Sequence, residues 1–206
     1  MPKRIIGVID YGVGNLASVV HALRAMGYSC RVSQDRNELA ESDLLLLPGV
    51  GAFPTAMVAL HELGLVQFIQ NQARSNKPIV GICLGMQLLA ESSTEIVFTS
   101  GLSLIPGKVE SLGNKRWHIG WNSIEVMENE SMLMKYDGQT LYFNHSFIFL
   151  APREHQMAVA RLDPLLSPIT IAVRRNNVVG LQFHPEKSQA TGRQLLANVI
   201  EELCCA

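Results

Sequence analysis

The sequence predicts an α/β protein: a single domain whose mixed, mostly parallel central sheet is flanked by helices, with a strand-rich C-terminal half. Three observations carry this prediction. Aliphatic strands alternate with helical patterns as far as Glu91, shorter β-like runs separated by turn residues follow, and one helical pattern closes the chain. Strands that alternate with helices are joined by right-handed crossovers, which make neighbouring strands parallel and cover both faces of the sheet.

The first half of the chain contains four expected strands and four expected helices. The aliphatic runs lie at residues 5–9, 28–33, 44–47 and 78–82, and the helical patterns at 15–26, 54–60, 64–73 and 84–91. In the first helical pattern the apolar residues share one face, and Gly27 ends it.

The second half is interpreted as a series of shorter strands. They are expected at residues 107–111, 123–127, 140–150, 157–161, 170–174 and 178–183. The turn residues at 175–177 predict a hairpin between the last two, and Ser188 is placed to cap a final helix that ends near Cys205. Because no internal repeat or linker interrupts the 206 residues, we interpret residues 1–206 as one domain.

Composition excludes several classes of function. Hydrophobic residues make up 48% of the chain and the formal net charge is −1, which gives no reason to expect a nucleic-acid partner. No apolar stretch approaches the roughly 20 residues that cross a bilayer, so no membrane association is expected. The apolar run at residues 5–9 is too short for a signal peptide, and the four cysteines form no C-x-x-C pair. We therefore expect a cytoplasmic protein without a metal site.

One cysteine stands in a setting that suits catalysis. Residues 81–85 form a G-x-C-x-G motif around Cys83, between an aliphatic strand and a helical pattern. This is the cysteine version of a nucleophile elbow, in which a sharp turn exposes the sulfur at a helix start and the amide of Leu84 can donate to an oxyanion. A buried structural cysteine explains the same five residues equally well, so the motif alone leaves both interpretations open.

A cysteine nucleophile needs a base, and the base needs an orienting group. His184 follows the aliphatic strand at 178–183, and Glu186 comes two residues later across Pro185. Functional groups of α/β proteins gather at the carboxyl ends of strands, so His184 is the candidate base and Glu186 its orienting carboxylate. A capping histidine beside a solvated carboxylate is the alternative for this segment.

Two glycine-containing turns also follow strands. Gly49 and Gly51 flank Val50, which lets backbone N–H groups turn toward an oxyanion and permits a peptide flip. Residues 11–15 form a similar turn. Neither turn has the third glycine of a dinucleotide-binding motif, so a dinucleotide site is not expected.

With these motifs, the chain resembles the class I (triad-type) glutamine amidotransferases over nearly its whole length. The matching segments are residues 10–15, 48–51, 81–88, 105–107, 118–122, 142–146 and 182–188. The resemblance implies that Cys83 attacks the side-chain amide of glutamine, that His184 protonates the departing ammonia and then activates water, and that Glu186 orients His184. The implied oxyanion-hole and substrate-binding residues are Gly49, Val50, Gly51, Leu84, Gln87, His145 and Ser146. No cofactor is implied.

The segments at 118–122 and 142–146 are specific to one group within this family, whereas the other motifs are shared more widely. These two segments resemble family members that form a heterodimer with a (β/α)8-barrel cyclase subunit, to which they channel ammonia for the synthesis of imidazole glycerol phosphate and aminoimidazole carboxamide ribonucleotide in histidine biosynthesis. The implied partner-facing residues are Asn15, His118, Trp121, Tyr142 and Lys187.

Three residues depart from the usual pattern of these members, namely Trp117, Ile119 and Asn144. They leave open a paralogous glutaminase that feeds ammonia to an acetamidino-sugar synthase. A cysteine peptidase-like hydrolase and a non-catalytic module with the same fold are further alternatives. The flip permitted around Val50 also predicts weak glutaminase activity until the partner binds.

Overall fold

The computed structural model of the chain describes residues 4–113, 117–128, 130–163, 165 and 167–205. The ends of the predicted domain, residues 1–3 and 206, lie outside the described residues. The first half alternates strands with helices: β1 (Ile5–Ile9), α1 (Leu16–Ala25), β2 (Ser29–Ser33), α2 (Arg36–Ala40), β3 (Leu44–Gly49), α3 (Phe53–Glu62), α4 (Leu65–Arg74), β4 (Ile79–Cys83) and α5 (Leu84–Leu88). The short helix α2 was not predicted. It begins where the Asp35 side chain accepts hydrogen bonds from the backbone amides of Asn37 and Glu38.

The second half is rich in strands, as expected. Its elements are β5 (Ser92–Ser93), β6 (Thr99–Ser100), β7 (Lys108–Ser111), β8 (His118–Ser123), β9 (Glu125–Val126), β10 (Thr140–His145), β11 (Phe147–Leu150), β12 (Gln156–Ala160), β13 (Ile169–Arg175), β14 (Val178–Leu181) and α6 (Gln189–Cys205). Single 3₁₀ turns lie at Met134–Tyr136, Arg153–His155 and Pro185–Lys187.

The central sheet has the strand order β2-β1-β3-β4-β14-β13-β12-β9. The pairs from β2 to β14 are parallel, and the remaining pairs are antiparallel. The predicted mixed, mostly parallel sheet is therefore confirmed. So is the hairpin between β13 and β14, in which Arg175 pairs with Val178 and Asn176 has a φ of 53°.

The prediction of one strand over residues 140–150 is wrong. Residues 140–145 pair with β8 in one small sheet, and residues 147–150 pair with β7 in another, so the chain changes sheets at Ser146. The strand predicted at 123–127 is confirmed only in its middle, because β8 ends at Ser123 and the central sheet takes up β9, Glu125–Val126. Apolar alternation continues across both breaks, whereas the pairing partners depend on tertiary contacts.

The hydrophobic core lies on both faces of the central sheet. Along β3, Leu44 and Leu46 pack into one cluster with α1 and α6, and Leu45 and Leu47 pack into the other with α3 and α4. Successive side chains of a strand point to opposite faces, so four consecutive leucines suit a strand that is covered on both sides. Each buried leucine contributes about 1.5–3 kcal/mol.

The described helices include none that is long and apolar enough to cross a membrane.

The turn between β4 and α5 packs against β3 with no room for side chains at its glycines. A Cβ on Gly85 would lie 1.8 Å from the carbonyl oxygen of Leu47, and a Cβ on Gly81 would lie 2.5 Å from the carbonyl oxygen of Gly85. Backbone cannot yield as a flexible side chain can. The glycines on either side of Cys83 are therefore required by packing.

We predict that Gly85→Ala destabilises the protein by about 3 kcal/mol or more, because the added methyl overlaps the Leu47 carbonyl. Gly138→Ala is the control: Gly138 has a φ of +72° and open space around it, so only the backbone conformation opposes alanine, at about 1 kcal/mol. Urea unfolding of both variants measures the difference. Equal losses in the two variants would show that the contact with β3 can relax.

Candidate active site

The predicted site residues meet because three parallel strands end at the same edge of the sheet. Gly49 at the end of β3 is paired with Cys83 at the end of β4, and Leu181 at the end of β14 is paired with Ile82. His184 follows three residues after Leu181. The strand register therefore brings the candidate nucleophile, the candidate base and the glycine turn after β3 to one place.

Cys83 is held in an unusual backbone conformation. Its φ is 55° and its ψ is −111°, and it is 6% exposed. Such a conformation costs about 1–3 kcal/mol in a residue with a side chain and recurs at nucleophile elbows. The Cys83 sulfur lies 3.7 Å from the Gln182 side-chain nitrogen and 3.9 Å from the Asn144 carbonyl oxygen. These contacts place the sulfur under the turn between β10 and β11.

His184 and Glu186 form a buried pair. The His184 Nδ1 donates to Glu186 Oε1 at 2.8 Å, and the side chains are 4% and 2% exposed. Glu186 Oε2 has no hydrogen-bond partner among the described residues. Burial lowers the pKa of His184, but hydrogen bonding and the negative charges of Cys83 and Glu186 outweigh it and raise that pKa to about 9. The imidazole is therefore protonated at neutral pH.

Backbone contacts fix the position of this pair. The His184 amide donates to the Tyr142 carbonyl oxygen at 2.9 Å, and the Ser188 hydroxyl donates to the His184 carbonyl oxygen at 2.7 Å. The Tyr142 amide in turn donates to the Ser188 hydroxyl at 2.9 Å. These bonds tie the turn after β14 to β10, so β10 helps to position the candidate base.

Two buried glutamines connect Cys83 with the turn between β10 and β11. Besides its contact with Cys83, Gln182 accepts a hydrogen bond from the Gln87 side-chain nitrogen at 3.0 Å. The same nitrogen lies 3.1 Å from the Phe147 carbonyl oxygen. Gln182 was not predicted as a site residue. Its position, two residues before His184 at the end of a strand, was the available signal.

A pair of neutral histidines lies behind this turn. His145 Nδ1 donates to the Phe147 carbonyl oxygen at 2.8 Å, so its Nε2 accepts from His118 Nδ1 at 2.9 Å. Burial lowers the pKa of His118 to about 4 and that of His145 to about 3, which keeps both rings neutral at physiological pH. Asn122 completes the chain by donating to His118 Nε2 at 3.2 Å.

This arrangement bears on two of the predicted site residues. His118 was predicted to face a partner, but its ring is only 6% exposed and stacks on Phe143 inside the protein. His145 was predicted to bind substrate, yet both of its ring nitrogens are used within the protein. The two histidines therefore support the turn at residues 144–147 from behind.

A cavity of about 360 Å³ opens above Cys83. It is lined by Val50, Gly51, Ala52, Cys83, Leu84, Gln87, Glu95, Trp117, Asn144, His145, Ser146, Phe147, His184 and Lys187. A larger cavity of about 750 Å³ lies elsewhere, beside Pro106 and Pro168, and contains none of the candidate catalytic side chains. The smaller cavity combines the candidate nucleophile Cys83, the candidate base His184 and the backbone of the turn after β3.

Glu95 is a cavity residue that sequence reasoning missed. Its Oε2 accepts a hydrogen bond from the Phe53 backbone amide at 2.7 Å, at the start of α3. Burial raises the pKa of Glu95, and the hydrogen bond from Phe53 partly opposes that rise. No sequence pattern distinguishes Glu95 from other acidic loop residues, because only the fold brings residue 95 to the turn at residues 50–52.

An exposed aromatic surface borders the cavity. Trp117, Ile119 and Trp121 are 66%, 58% and 49% exposed. The ring of Trp121 meets Tyr142 edge-on at 5.9 Å, and the Lys187 ammonium lies 6.0 Å from the Tyr142 ring centre. We call the surface formed by these five residues the outer face. Asn15, also predicted to face a partner, is exposed and caps α1 by accepting from the Ser18 amide.

Comparison with known proteins agrees with this geometry. The family model described as glutamine amidotransferase class-I matches residues 7–203. The chain is 42% identical over 193 residues to the imidazole glycerol phosphate synthase subunit HisH of Streptococcus sanguinis (strain SK36), covering 92% of each chain. It is 40% identical over 205 residues to the subunit of the same name from Caldanaerobacter subterraneus subsp. tengcongensis, covering 98% of this chain and 100% of that one.

The fold also matches solved structures. The structure of PurLQS from Thermotoga maritima superposes with a TM-score of 0.75 at 19% identity, over 98% of this chain and 99% of that chain. At this level of identity, the likeness shows a common fold alone.

The charge of His184 predicts how fast Cys83 reacts with iodoacetamide. At pH 7 His184→Ala removes a cation beside the sulfur, so we expect alkylation of Cys83 to slow roughly tenfold. The wild-type imidazole loses its proton above a pKa of about 9, so the difference should shrink above that pH. Mass spectrometry of the Cys83 peptide gives the rate, and His155→Ala is the control. Equal rates for wild type and His184→Ala at pH 7 would contradict the pairing.

Proposed function

Because the chain belongs to the class I glutamine amidotransferase family, we propose that Cys83, His184 and Glu186 are its catalytic triad and that it serves as the glutaminase subunit of an imidazole glycerol phosphate synthase. The observation that carries the triad assignment is the buried His184–Glu186 pair beside a strained Cys83, with Cys83 and His184 lining one cavity. That arrangement supplies a nucleophile, a proton carrier and an orienting carboxylate for acyl transfer.

The first half-reaction forms a thioester. The Cys83 sulfur attacks the side-chain amide carbon of glutamine, and a C–S bond forms as the carbonyl oxygen becomes an oxyanion. Backbone amides of Val50 and Leu84 donate to that oxyanion, which is the role we assign to the turn after β3 and to the elbow. His184 gives its proton to the amide nitrogen, the C–N bond breaks, and ammonia leaves.

The second half-reaction releases glutamate. The now neutral His184 takes a proton from water, the hydroxide attacks the thioester carbon, and the C–S bond breaks to return the Cys83 sulfur. The new carboxyl group ionises to solvent. Glu186 holds Nδ1 of His184 throughout, so the other ring nitrogen stays available to the reacting groups.

The substrate carries charges that the cavity can match. Glutamine has an α-ammonium group and an α-carboxylate. Among the residues that the structure describes, no cation pairs with the carboxylate of Glu95, whereas His184 pairs with that of Glu186. We assign Glu95 to the α-ammonium group, through the oxygen that the Phe53 amide does not occupy. Lys187, also at the cavity, would favour the α-carboxylate.

The destination of the ammonia is proposed from the relatives. Two of them, matched over more than nine-tenths of their length, are named as subunits of imidazole glycerol phosphate synthase. We propose that this chain forms a heterodimer with a (β/α)8-barrel cyclase subunit, which takes up the ammonia. The outer face, with three large apolar side chains about half exposed or more, is the surface we assign to this partner.

Purification of the tagged chain from its native host tests the partner. We expect a histidine-pathway cyclase to co-purify, whereas recovery of an acetamidino-sugar synthase in its place would favour the paralogous function. In the recovered complex, Cys83→Ala should lower glutamate release from glutamine roughly a thousandfold or more, because the nucleophile is lost. The control Cys205→Ala, at an exposed cysteine, should keep full activity. An active Cys83→Ala complex would refute the triad.

The role of Glu95 predicts a selective effect on substrate binding. Glu95→Gln keeps an oxygen for the Phe53 amide but removes the charge opposite the α-ammonium group. We expect KM for glutamine to rise about tenfold with kcat nearly unchanged, since the α-ammonium group is equally far from the reacting bond in the ground and transition states. Steady-state kinetics of the complex measure both constants, and Glu110→Gln, at a surface carboxylate paired with Lys108, is the control. A fall in kcat alone would contradict the assignment.

A further inference from the structure

A tyrosine outside the proposed triad reaches the turn that follows β3. The parallel ladder between β1 and β3 ends at Val8 and Leu46. Continuing the same register would set Tyr11 level with Gly49, just beyond the ladder. The chain leaves β1 at Ile9, so the side chain of Tyr11 rather than its backbone meets this part of β3.

The Tyr11 hydroxyl donates to the carbonyl oxygen of Pro48 at 2.8 Å. Tyr11 is 2% exposed, so water cannot replace the hydroxyl readily. Burial raises the pKa of Tyr11 above its ordinary range, and the charge of the nearby Cys83 sulfur raises it further. The hydroxyl therefore stays protonated and remains a donor at any working pH.

The hydroxyl also packs directly against Gly49. A Cβ on Gly49 would lie 2.6 Å from the Tyr11 hydroxyl oxygen and 2.9 Å from Cβ of Leu84. Gly49 is thus enclosed between Tyr11 on one side and the elbow on the other. Two residues further on, Gly51 has a φ of +103° and is exposed. The segment at residues 48–51 therefore has one enclosed end and one open end.

We infer that Tyr11 is a positioning residue for the oxyanion hole, acting through the Pro48 carbonyl on the backbone amide of Val50. This inference rests on the proposed glutaminase function. The hydrogen bond holds the peptide plane between Pro48 and Gly49, and the next peptide carries the Val50 N–H. Donors to an oxyanion act in the transition state only if they are already oriented, so a fixed plane before Val50 contributes to the chemical step.

Tyr11→Phe tests this in the full chain bound to its partner. The variant keeps the ring against Gly49 and removes only the hydroxyl, which leaves the Pro48 carbonyl without its donor. We expect kcat for glutamine hydrolysis to fall about tenfold and KM to stay within about twofold, because the lost contribution belongs to the transition state. Alkylation of Cys83 by iodoacetamide, which needs no oxyanion hole, should keep its wild-type rate.

Tyr28→Phe is the matched control. Tyr28 is also buried, and its hydroxyl donates to Glu201 on α6 at 2.9 Å rather than to a residue of the elbow or of the turn after β3. Both variants lose one hydroxyl: that of Tyr11 contacts the Pro48 carbonyl oxygen, and that of Tyr28 contacts Glu201 and, at 3.4 Å, the Ala197 carbonyl oxygen. Urea unfolding reports the loss of stability in each. Counting active sites by the amplitude of the fast phase of Cys83 alkylation, which belongs to the His184-paired sulfur of folded molecules, expresses kcat per folded molecule. A partly unfolded variant then still gives a usable value.

The outcomes separate the two proposals. A tenfold lower kcat in Tyr11→Phe, with Tyr28→Phe like wild type, supports the positioning role. An active wild-type complex with an unchanged kcat in Tyr11→Phe overturns it and leaves the glutaminase function standing. So does a raised KM with kcat unchanged, which would place Tyr11 in substrate binding. A wild-type complex without glutaminase activity overturns the proposed function itself.

Discussion

The close approach between the elbow and β3 is the constraint on which the site depends. Gly85 lies against the Leu47 carbonyl with no room for a Cβ, and Gly49 lies against Leu84 in the same way. This contact sets the strained backbone of Cys83 level with the turn after β3. The proposed nucleophile and the turn that carries the proposed oxyanion donor therefore lie side by side at the ends of two adjacent parallel strands.

Charge is distributed unevenly among the three histidines near the cavity. The Glu186 carboxylate and the Cys83 sulfur raise the pKa of His184 and keep its ring protonated. His118 and His145 have no anionic partner among the described residues, and burial keeps their rings neutral. The difference follows from surroundings, since all three rings are buried. His184 can thus exchange a proton during a reaction, while the neutral pair serves as fixed donors and acceptors that hold the turn at residues 144–147.

The strand-rich second half of the chain adds contacts to the site that the parallel strands form. By changing sheets at Ser146, the chain forms a turn whose carbonyl groups reach both Cys83 and Gln87. The same half carries all five residues of the outer face, three of them on β8 and β10. The cavity consequently opens beside the exposed aromatic surface that we assign to the partner.

The sequence by itself determined the α/β class, the parallel direction of the strands in the first half and the elbow around Cys83, because aliphatic runs and a glycine-flanked cysteine are local signals. It also determined the candidate pair His184 and Glu186, which are two residues apart. Only the tertiary structure decided that the 140–150 run divides between two sheets, that His118 points inward, and that Glu95 and Tyr11 reach the site. These features depend on contacts between residues distant in the chain, which no local periodicity records.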